Sequence, residues 1–138
     1  MRVALVYIPA RDPDALAVVA KAMARALEAA GHYVDFSQAK ADEPPRLTGY
    51  DYIIVGTESM TLLGKIPPRV SQFLAQAGTV TGKRSMAFLR KTGLRPERAL
   101  SRLMKAMEAE GMIVNCAEVV SNEANASVAA REAPVERK

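Results

Sequence analysis

The sequence predicts an α/β protein of the doubly wound kind, with a five-stranded parallel sheet. Two observations predict it. Short apolar runs alternate with amphipathic segments of helical period, and the connections between them are short, which favours a parallel sheet with right-handed crossovers. The runs at residues 2–8 and 52–55 are apolar on both faces, as central strands of a parallel sheet are.

The first strand and helix show the logic of each element. Arg2 to Ile8 is the strand, and a helix begins directly after it and continues to about Ala30. Asp12 is placed as the N-cap and Pro13 as the first helical residue, where its missing N–H does no harm. Gly31 then ends the helix in the left-handed conformation that glycine favours.

The remaining elements follow the same alternation along the 138 residues. In chain order we expect a second strand near an edge at Tyr33–Phe36, an irregular or one-turn connection over Ser37–Gly49, a third strand at Tyr52–Val55, a helix at Ile66–Ala77 with Pro67 or Pro68 in its first turn, a fourth strand at Arg84–Leu89, a helix from Pro96 to a stop at Gly111, and a fifth strand at Met112–Val120. The tail 121–138 is expected to form a short helix at Ala124–Glu132 or to be frayed. No internal repeat divides the chain, so residues 1–138 are expected to form one domain.

Composition narrows the class of protein. Cys116 is the single cysteine, so it forms no internal disulfide, and its place inside the fifth strand predicts a buried small hydrophobe. No apolar run approaches the ~20 residues of a membrane span. The apolar start, Met1–Ile8, is too short for the core of a signal peptide. We therefore expect a cytoplasmic protein.

The charge is unevenly distributed. The net charge is +4, but residues 65–105 hold ten basic side chains against Glu97 alone, a balance of +9, while the flanking segments are slightly acidic. Such a block can attract an anionic ligand, an acidic protein or nucleic acid, and it can equally be a solvated face. Nucleic acid is the weaker choice, because Phe73 and Phe88 are the only aromatics among these cations and both fit the core.

Two stretches resemble the flavodoxin family, and the resemblance covers nearly the whole chain. The first, Gly56 to Ala75, reads GTESMTLLGKIPPRVSQFLA and is similar to the family's Gly-Ser/Thr-Pro-Thr-aromatic segment with its later Gly, Pro and Phe-Leu. The second begins at Phe88, FLRKTGLRPERALSRLMKAMEAEGMIV, and is similar to the family's following strand, loop, helix and strand.

The resemblance implies a sheet in the strand order 2-1-3-4-5 and an FMN-binding protein that transfers electrons to a redox partner protein. It also implies two loops around the flavin ring and a loop after the first strand around the phosphate. The fold predicts the same place, because ligands of doubly wound sheets lie beyond the carboxyl ends of the strands where strand order reverses. The cofactor-binding candidates are Pro9, Ala10, Arg11, Asp12, Thr57, Glu58, Ser59, Met60, Thr61, Gly64, Leu89, Arg90, Lys91, Thr92 and Gly93.

The loop after the first strand departs from the family's pattern. It reads Pro9-Ala10-Arg11-Asp12-Pro13, without the Gly and the Ser/Thr hydroxyls of a phosphate cradle. Two acids, Asp12 and Asp14, repel a dianion, and the capping role of Asp12 occupies a backbone N–H. A self-capped helix fits these residues better than a phosphate cradle, although Arg11 offsets part of the repulsion.

The ring-side loops also differ from the family. Met60 stands where the family has an aromatic or a His, and Glu58 stands in place of a Pro. A thioether can still pack on a flavin. Arg90 and Lys91 could favour a flavin anion or an anionic substrate, or be solvated loop charges.

Nothing in the sequence indicates a catalyst or a metal site. His32 lies just after a helix stop, Ser59 has no GxSxG context, and the chain holds no GxGxxG, no GxxxxGK[ST] and no metal-ligand spacing. An electron carrier or a binding module is therefore expected rather than an enzyme.

Three classes of function stay open on the sequence. The first is an FMN-binding redox protein; the second is a flavodoxin-like module that has lost FMN and binds an acidic protein or a small anion through a basic rim; the third is a purely oligomerising domain. A homo-oligomer is expected because a short last helix could leave the strand residues 53–55, 86–89 and 113–119 partly bare; the alternative is that the short helix is enough to cover them.

Overall fold

The computed structural model describes residues 1–39, 46–61, 63–92 and 95–136. Five strands and four helices alternate along them. In chain order they are β1 Arg2–Ile8, α1 Pro13–Ala29, β2 Tyr33–Gln38, β3 Tyr52–Glu58, α2 Arg69–Ala75, β4 Arg84–Arg90, α3 Pro96–Ala109, β5 Ile113–Val120 and α4 Glu123–Glu132.

The five strands form one parallel sheet in the order β2-β1-β3-β4-β5. This confirms the predicted fold class and strand order, with β2 at one edge and β5 at the other. Strand order reverses between β1 and β3, which pair from Val3 with Tyr52 to Ile8 with Thr57. The crevice that a doubly wound sheet offers to a ligand therefore opens beyond Ile8 and the end of β3.

Helices cover both faces of the sheet, and each face has its own core. On one face α1 and α4 pack over alternate strand residues such as Leu5, Ile54 and Phe88. On the other, α2 and α3 cover the residues in between, such as Val6 and Val55. Strand residues alternate between the faces because successive side chains point to opposite sides.

The start of α1 forms as the sequence predicts. Asp12 is the N-cap, its carboxylate accepts from the Ala15 N–H at 3.1 Å, and Pro13 is the first helical residue. Gly31 follows the helix with a φ of 95°, the left-handed conformation expected of a glycine stop.

Two boundaries near the ligand crevice differ from the prediction. The third strand continues three residues past Val55 to Glu58, because Thr57 and Glu58 pair in register with Leu89 and Arg90 of β4. Helix α2 begins at Arg69 rather than Ile66. Two consecutive prolines precede it, and the residue before a proline is disfavoured in a helix.

The sheet is better covered than its short last helix suggested. Residues 53–55 and 86–89 are fully buried, so the expectation that they lie partly bare is wrong. Helix α4 is only ten residues long, but Ala126, Ala129 and Ala130 bury its inner face against α1 and let the two helices approach closely. Partial exposure remains in residues 113–119 of the edge strand β5.

Cys116 lies on that edge strand and is half-buried, not fully buried as its sequence context suggested. Burial raises the pKa of its thiol, and the nearby carboxylates of Glu118 and Glu132 raise it further. The thiol is thus less reactive than a free cysteine at neutral pH. No described helix combines the length and apolar character needed to cross a membrane.

Candidate functional site

Three loops meet at the carboxyl edge of the sheet. They are residues 9–12 between β1 and α1, residues 59–68 between β3 and α2, and residues 91–95 between β4 and α3. Because parallel strands end at the same edge, the fold brings these loops together across the crevice between β1 and β3. Residues 62, 93 and 94 of these loops, and with them the candidate Gly93, lie outside the described residues.

The Glu58 side chain fills the first of these loops. Glu58 is the last residue of β3, and its side chain is fully buried. Its Oε2 accepts three backbone hydrogen bonds, from the N–H groups of Ala10 at 3.0 Å, Arg11 at 2.9 Å and Asp12 at 3.1 Å. Consecutive N–H groups before a helix form an anion-binding concavity, and here the anion is a carboxylate of the chain itself.

Arg90 neutralises the same carboxylate from the neighbouring strand. Its Nη2 lies 2.6 Å and its Nε 3.1 Å from Glu58 Oε1, so both carboxylate oxygens are fully engaged. Burial by itself would raise the pKa of Glu58, but the bonds from Arg11, Ala10, Arg90 and Asp12 outweigh it, and the pKa is lowered. Glu58 is therefore ionised at neutral pH, and the five hydrogen bonds join the ends of β1, β3 and β4.

Several other donors around the β1–α1 loop also have partners or are missing. Pro13 has no N–H, and the Ala15 N–H is used by the Asp12 cap. Arg69 at the start of α2 donates from Nη2 to the Pro9 carbonyl at 3.1 Å. Arg11 is exposed, with its guanidinium at the surface of the same loop.

Thr61 organises the loop after β3. Its carbonyl accepts from Ser59 Oγ at 2.6 Å and from the Gly64 N–H at 3.2 Å, while its Oγ1 accepts from the N–H groups of Leu63 and Lys65. The Met60 N–H donates to the Lys65 carbonyl at 2.6 Å. The loop therefore satisfies much of its own backbone and turns Met60 and Leu63 outward, where they are 40% and 59% exposed.

The same loop is fastened to α3. Gly64 has a φ of 80°, and a Cβ at this position would stand 2.9 Å from Arg98 Cβ and 3.2 Å from the Arg95 carbonyl oxygen. Arg102 donates from Nη1 to the Leu63 carbonyl at 3.3 Å. A glycine is needed here both for the left-handed backbone and for the close approach to the helix.

The loop after β4 packs between its neighbours. The Lys91 N–H donates to the Val120 carbonyl at 2.8 Å, and Thr92 Oγ1 donates to the Ser59 carbonyl at 3.4 Å. Leu89 is buried within β4, whereas the Lys91 side chain is exposed. The Thr92–Ser59 bond joins the loop after β3 to the loop after β4.

The structure therefore gathers the described candidates at one edge but gives them unequal roles. Pro9, Thr57 and Ser59 are buried, and the Thr57 Oγ1 donates to the Ile8 carbonyl at 2.6 Å. Met60 and Lys91 face solvent.

Sequence reasoning missed two contacts of this site: the bond of Arg69 to the β1–α1 loop and the enclosure of Glu58 by that loop. The enclosure of Glu58 had a signal in the sequence: Glu58 stands in place of the family's Pro, and the loop of residues 9–12 lacks the family's polar donors.

The remaining polar candidates lie away from this edge. His32 Nδ1 stands 3.9 Å from Glu136 Oε1 beside the chain's tail. Across the described ranges of the chain, His, Cys, Asp and Glu nowhere cluster in a group of three or more that could hold a metal ion.

Comparison with known proteins agrees on the class of fold. Neither protein-family models nor curated protein sequences match the chain. Among solved structures, an archaeal flavodoxin is similar with a TM-score of 0.71 and 18% identity, over 96% of this chain and 95% of that one. Flavodoxin 1 from Bacillus cereus has a TM-score of 0.72 and 16% identity, over 96% and 93%.

A longer protein is similar over part of its length. The flavo di-iron protein of Thermotoga maritima has a TM-score of 0.66 and 15% identity, over 94% of this chain and 34% of that one. The chain is thus an open, doubly wound α/β protein with a crevice at the strand ends. More narrowly, its fold is flavodoxin-like.

The β1–α1 loop of this chain does not fit the phosphate of the cofactor that this fold suggests. The loop's three consecutive N–H groups, those of Ala10, Arg11 and Asp12, all donate to Glu58 and are therefore not available to a second anion. A phosphate placed there would have to displace a buried, ionised carboxylate and separate it from Arg90.

Proposed function

We propose that this chain is a flavin-independent binding module with a flavodoxin-like fold, and that it binds an acidic protein through the basic rim of its sheet edge. One observation carries the first half of the proposal. The Glu58 carboxylate occupies the anion-binding loop with three backbone bonds and a guanidinium, so the chain satisfies internally what an anionic ligand would satisfy.

Charge at the same edge supports the second half. The side chains of Lys65, Lys91 and Arg95 are exposed around the mouth of the crevice. Arg90, which the sequence had grouped with them, is already paired with Glu58 and contributes no free charge to a partner. Exposed cations of one sign attract an acidic surface and steer its approach.

FMN-dependent electron transfer is the second candidate, and the likeness to solved flavodoxins favours it. The ring-side loops around Met60 and Thr92 lie together at the expected edge. Flavin binding here would require the phosphate to lie outside residues 9–12, since their donors are committed to Glu58.

Titration of the purified protein with FMN and with riboflavin, followed by flavin fluorescence, separates the two candidates. We expect neither FMN nor riboflavin to be quenched at flavin concentrations up to about 100 μM. A dissociation constant of that size corresponds to a binding free energy of about −5.5 kcal/mol. Saturable quenching by either flavin in that range would overturn the flavin-independent proposal. Riboflavin matters because it reports ring binding without a phosphate.

A variant tests whether Glu58 is the group that closes the loop. Glu58→Ser removes the carboxylate and leaves the N–H groups and Arg90 available, and Glu28→Ser is the matched control on the exposed side of α1. Calorimetry with inorganic phosphate should detect binding to the folded Glu58→Ser variant, and no binding to the wild type or to Glu28→Ser. Folded Glu58→Ser that takes up no phosphate would contradict the blocking role.

Self-association stays a prediction of the sequence. Sedimentation over a range of protein concentrations tests it, and a monomer throughout would remove it.

A further inference from the structure

The outer face of α3 carries a continuous basic stripe. Arg98, Arg102 and Lys105 follow the spacing i, i+4, i+7, which places them within a sector of about 60° on a helix of 3.6 residues per turn. All three are exposed, and they extend over about 10 Å at 1.5 Å per residue. Arg95, also exposed, precedes the helix and continues the series toward the rim. These four residues are called the α3 stripe below.

No residue of the α3 stripe forms an ion pair within the described part of the chain. The ion pairs found there are Glu58 with Arg90 and His32 with Glu136, and neither includes a stripe residue. The acids of α3 itself, Glu97 and Glu108, lie about 60° or more around the helix from the nearest residue of this sector. The stripe therefore presents one sign of charge to solvent.

Two exposed apolar side chains border the stripe. Met60 and Leu63 project from the loop that Arg102 and Gly64 fasten to α3, so they share a surface with the cations rather than standing apart. The other large exposed hydrophobics of the described chain lie elsewhere, for example Tyr33 and Phe36 on the opposite edge strand β2. Apolar contacts beside complementary charge are typical of protein interfaces.

We propose that the α3 stripe, with Met60 and Leu63, is the docking surface for an acidic polypeptide segment that carries apolar side chains. The inference rests on the proposed function and specifies it, since it moves the main contact from the mouth of the crevice to the outer face of α3. Charge complementarity selects an acidic partner. A single-stranded nucleic acid is disfavoured because the exposed apolar residues here are aliphatic and offer no aromatic face on which bases could stack.

Fluorescence anisotropy with a synthetic probe tests this surface. The probe is a fluorescein-labelled peptide of repeated Glu-Glu-Leu-Glu, and its control is the all-Glu peptide of the same length. We expect saturable binding of the Leu-containing peptide that weakens as salt rises, and weaker binding of the all-Glu peptide. Equal affinity for the two peptides would overturn the role of Met60 and Leu63.

Matched charge reversals locate the contact. The double variant Arg98→Glu with Lys105→Glu should lower the affinity for the probe about tenfold or more. Two exposed cations that attract the acidic peptide are replaced by two carboxylates that repel it. Lys21→Glu with Arg25→Glu makes the same change of charge on the exposed side of α1, across the sheet, and should change the affinity less than about threefold. Equal effects of the two pairs would overturn the α3 assignment.

A third pair separates this inference from the proposed function. The double variant Lys65→Glu with Lys91→Glu reverses two charges at the mouth of the crevice and leaves the residues of α3 unchanged. If only this pair lowers the affinity for the probe, the α3 stripe is not the docking surface and the proposed binding at the mouth of the crevice stands. If the wild-type protein does not bind the probe at all, both the α3 proposal and the proposed function are overturned. The flavin titration tests whether the protein binds flavin, and it needs none of these three double variants.

Two other partners would show themselves in the same experiment. A labelled oligo-dT strand that binds as tightly as the peptide, and loses affinity with Arg98→Glu and Lys105→Glu, would overturn the choice of a polypeptide. A concentration-dependent dimer that the same pair dissociates would assign the surface to a second copy of the chain and overturn a separate acidic partner.

Discussion

The β1–α1 loop and the α3 stripe differ in how their charges are satisfied. In the loop, three backbone donors and Arg90 converge on the buried Glu58 carboxylate. On the stripe, several cations stand exposed without a carboxylate partner among the described residues. A site whose groups are satisfied internally stabilises the fold, whereas a site whose charges are left to solvent is available to a partner. Each prediction below tests one side of that contrast.

The largest effect is expected from Glu58→Ala. The change leaves Arg90 and three backbone donors without their acceptor, and breaking a buried ion pair costs about 3–5 kcal/mol. Urea unfolding measures the loss of stability. Glu28→Ala, an exposed acid of α1, is the control and should change the unfolding free energy by less than about 0.5 kcal/mol. A similar small loss for both variants would mean that the loop does not depend on its internal carboxylate.

Acid should weaken the same contact. The pKa of Glu58 is lowered in the folded protein, so its contribution to stability is complete above the unfolded value of about 4.3 and is lost as the pH falls through the folded pKa. Unfolding free energies of the wild type and of Glu58→Gln, measured between about pH 6 and pH 3, should therefore converge toward the acid end. A constant difference across this range would contradict an ionised Glu58.

A smaller but clear loss is expected from Gly56→Ala, two residues before Glu58. A Cβ at Gly56 would overlap the ring of Phe88 on β4, and overpacking of this kind costs about 1–3 kcal/mol. Gly49→Ala is the control, because its nearest atom would be Arg2 Nη1 at 3.7 Å. In thermal unfolding, Phe88→Leu combined with Gly56→Ala should lose less stability than the two single changes added together. Simple additivity would show that the ring is not the obstacle.

The smallest effect on stability is expected from changes in the α3 stripe. Arg98→Glu with Lys105→Glu should change the unfolding free energy by less than about 0.5 kcal/mol, since neither side chain forms an ion pair with any residue that the structure describes. The same pair is expected to have the largest effect on peptide binding. Loss of stability comparable to that of Glu58→Ala would indicate that the stripe is part of the fold's own support.

Much of the fold was predictable because its signals are local. The cap at Asp12, the glycine after α1 and the strand of residues 2–8 each depend on neighbours a few positions away. The parallel sheet followed from the alternation of strands and helices, and the strand order followed from the resemblance to flavodoxins. The extension of β3 to Glu58 was missed because its register is set by β4, and the covering of the sheet was missed because it depends on alanines that bring α4 close to α1.

The candidate site divides in the same way. From the sequence alone came the place of the site, the basic segment 65–105, and the poor match of residues 9–13 to a phosphate cradle. Only the tertiary structure decided what fills that loop, because Glu58 lies 46 to 48 positions from its backbone donors and 32 from Arg90. It also decided which cations are committed and which are exposed. Composition counts charges, but whether a charge is paired depends on which strand ends the fold brings together.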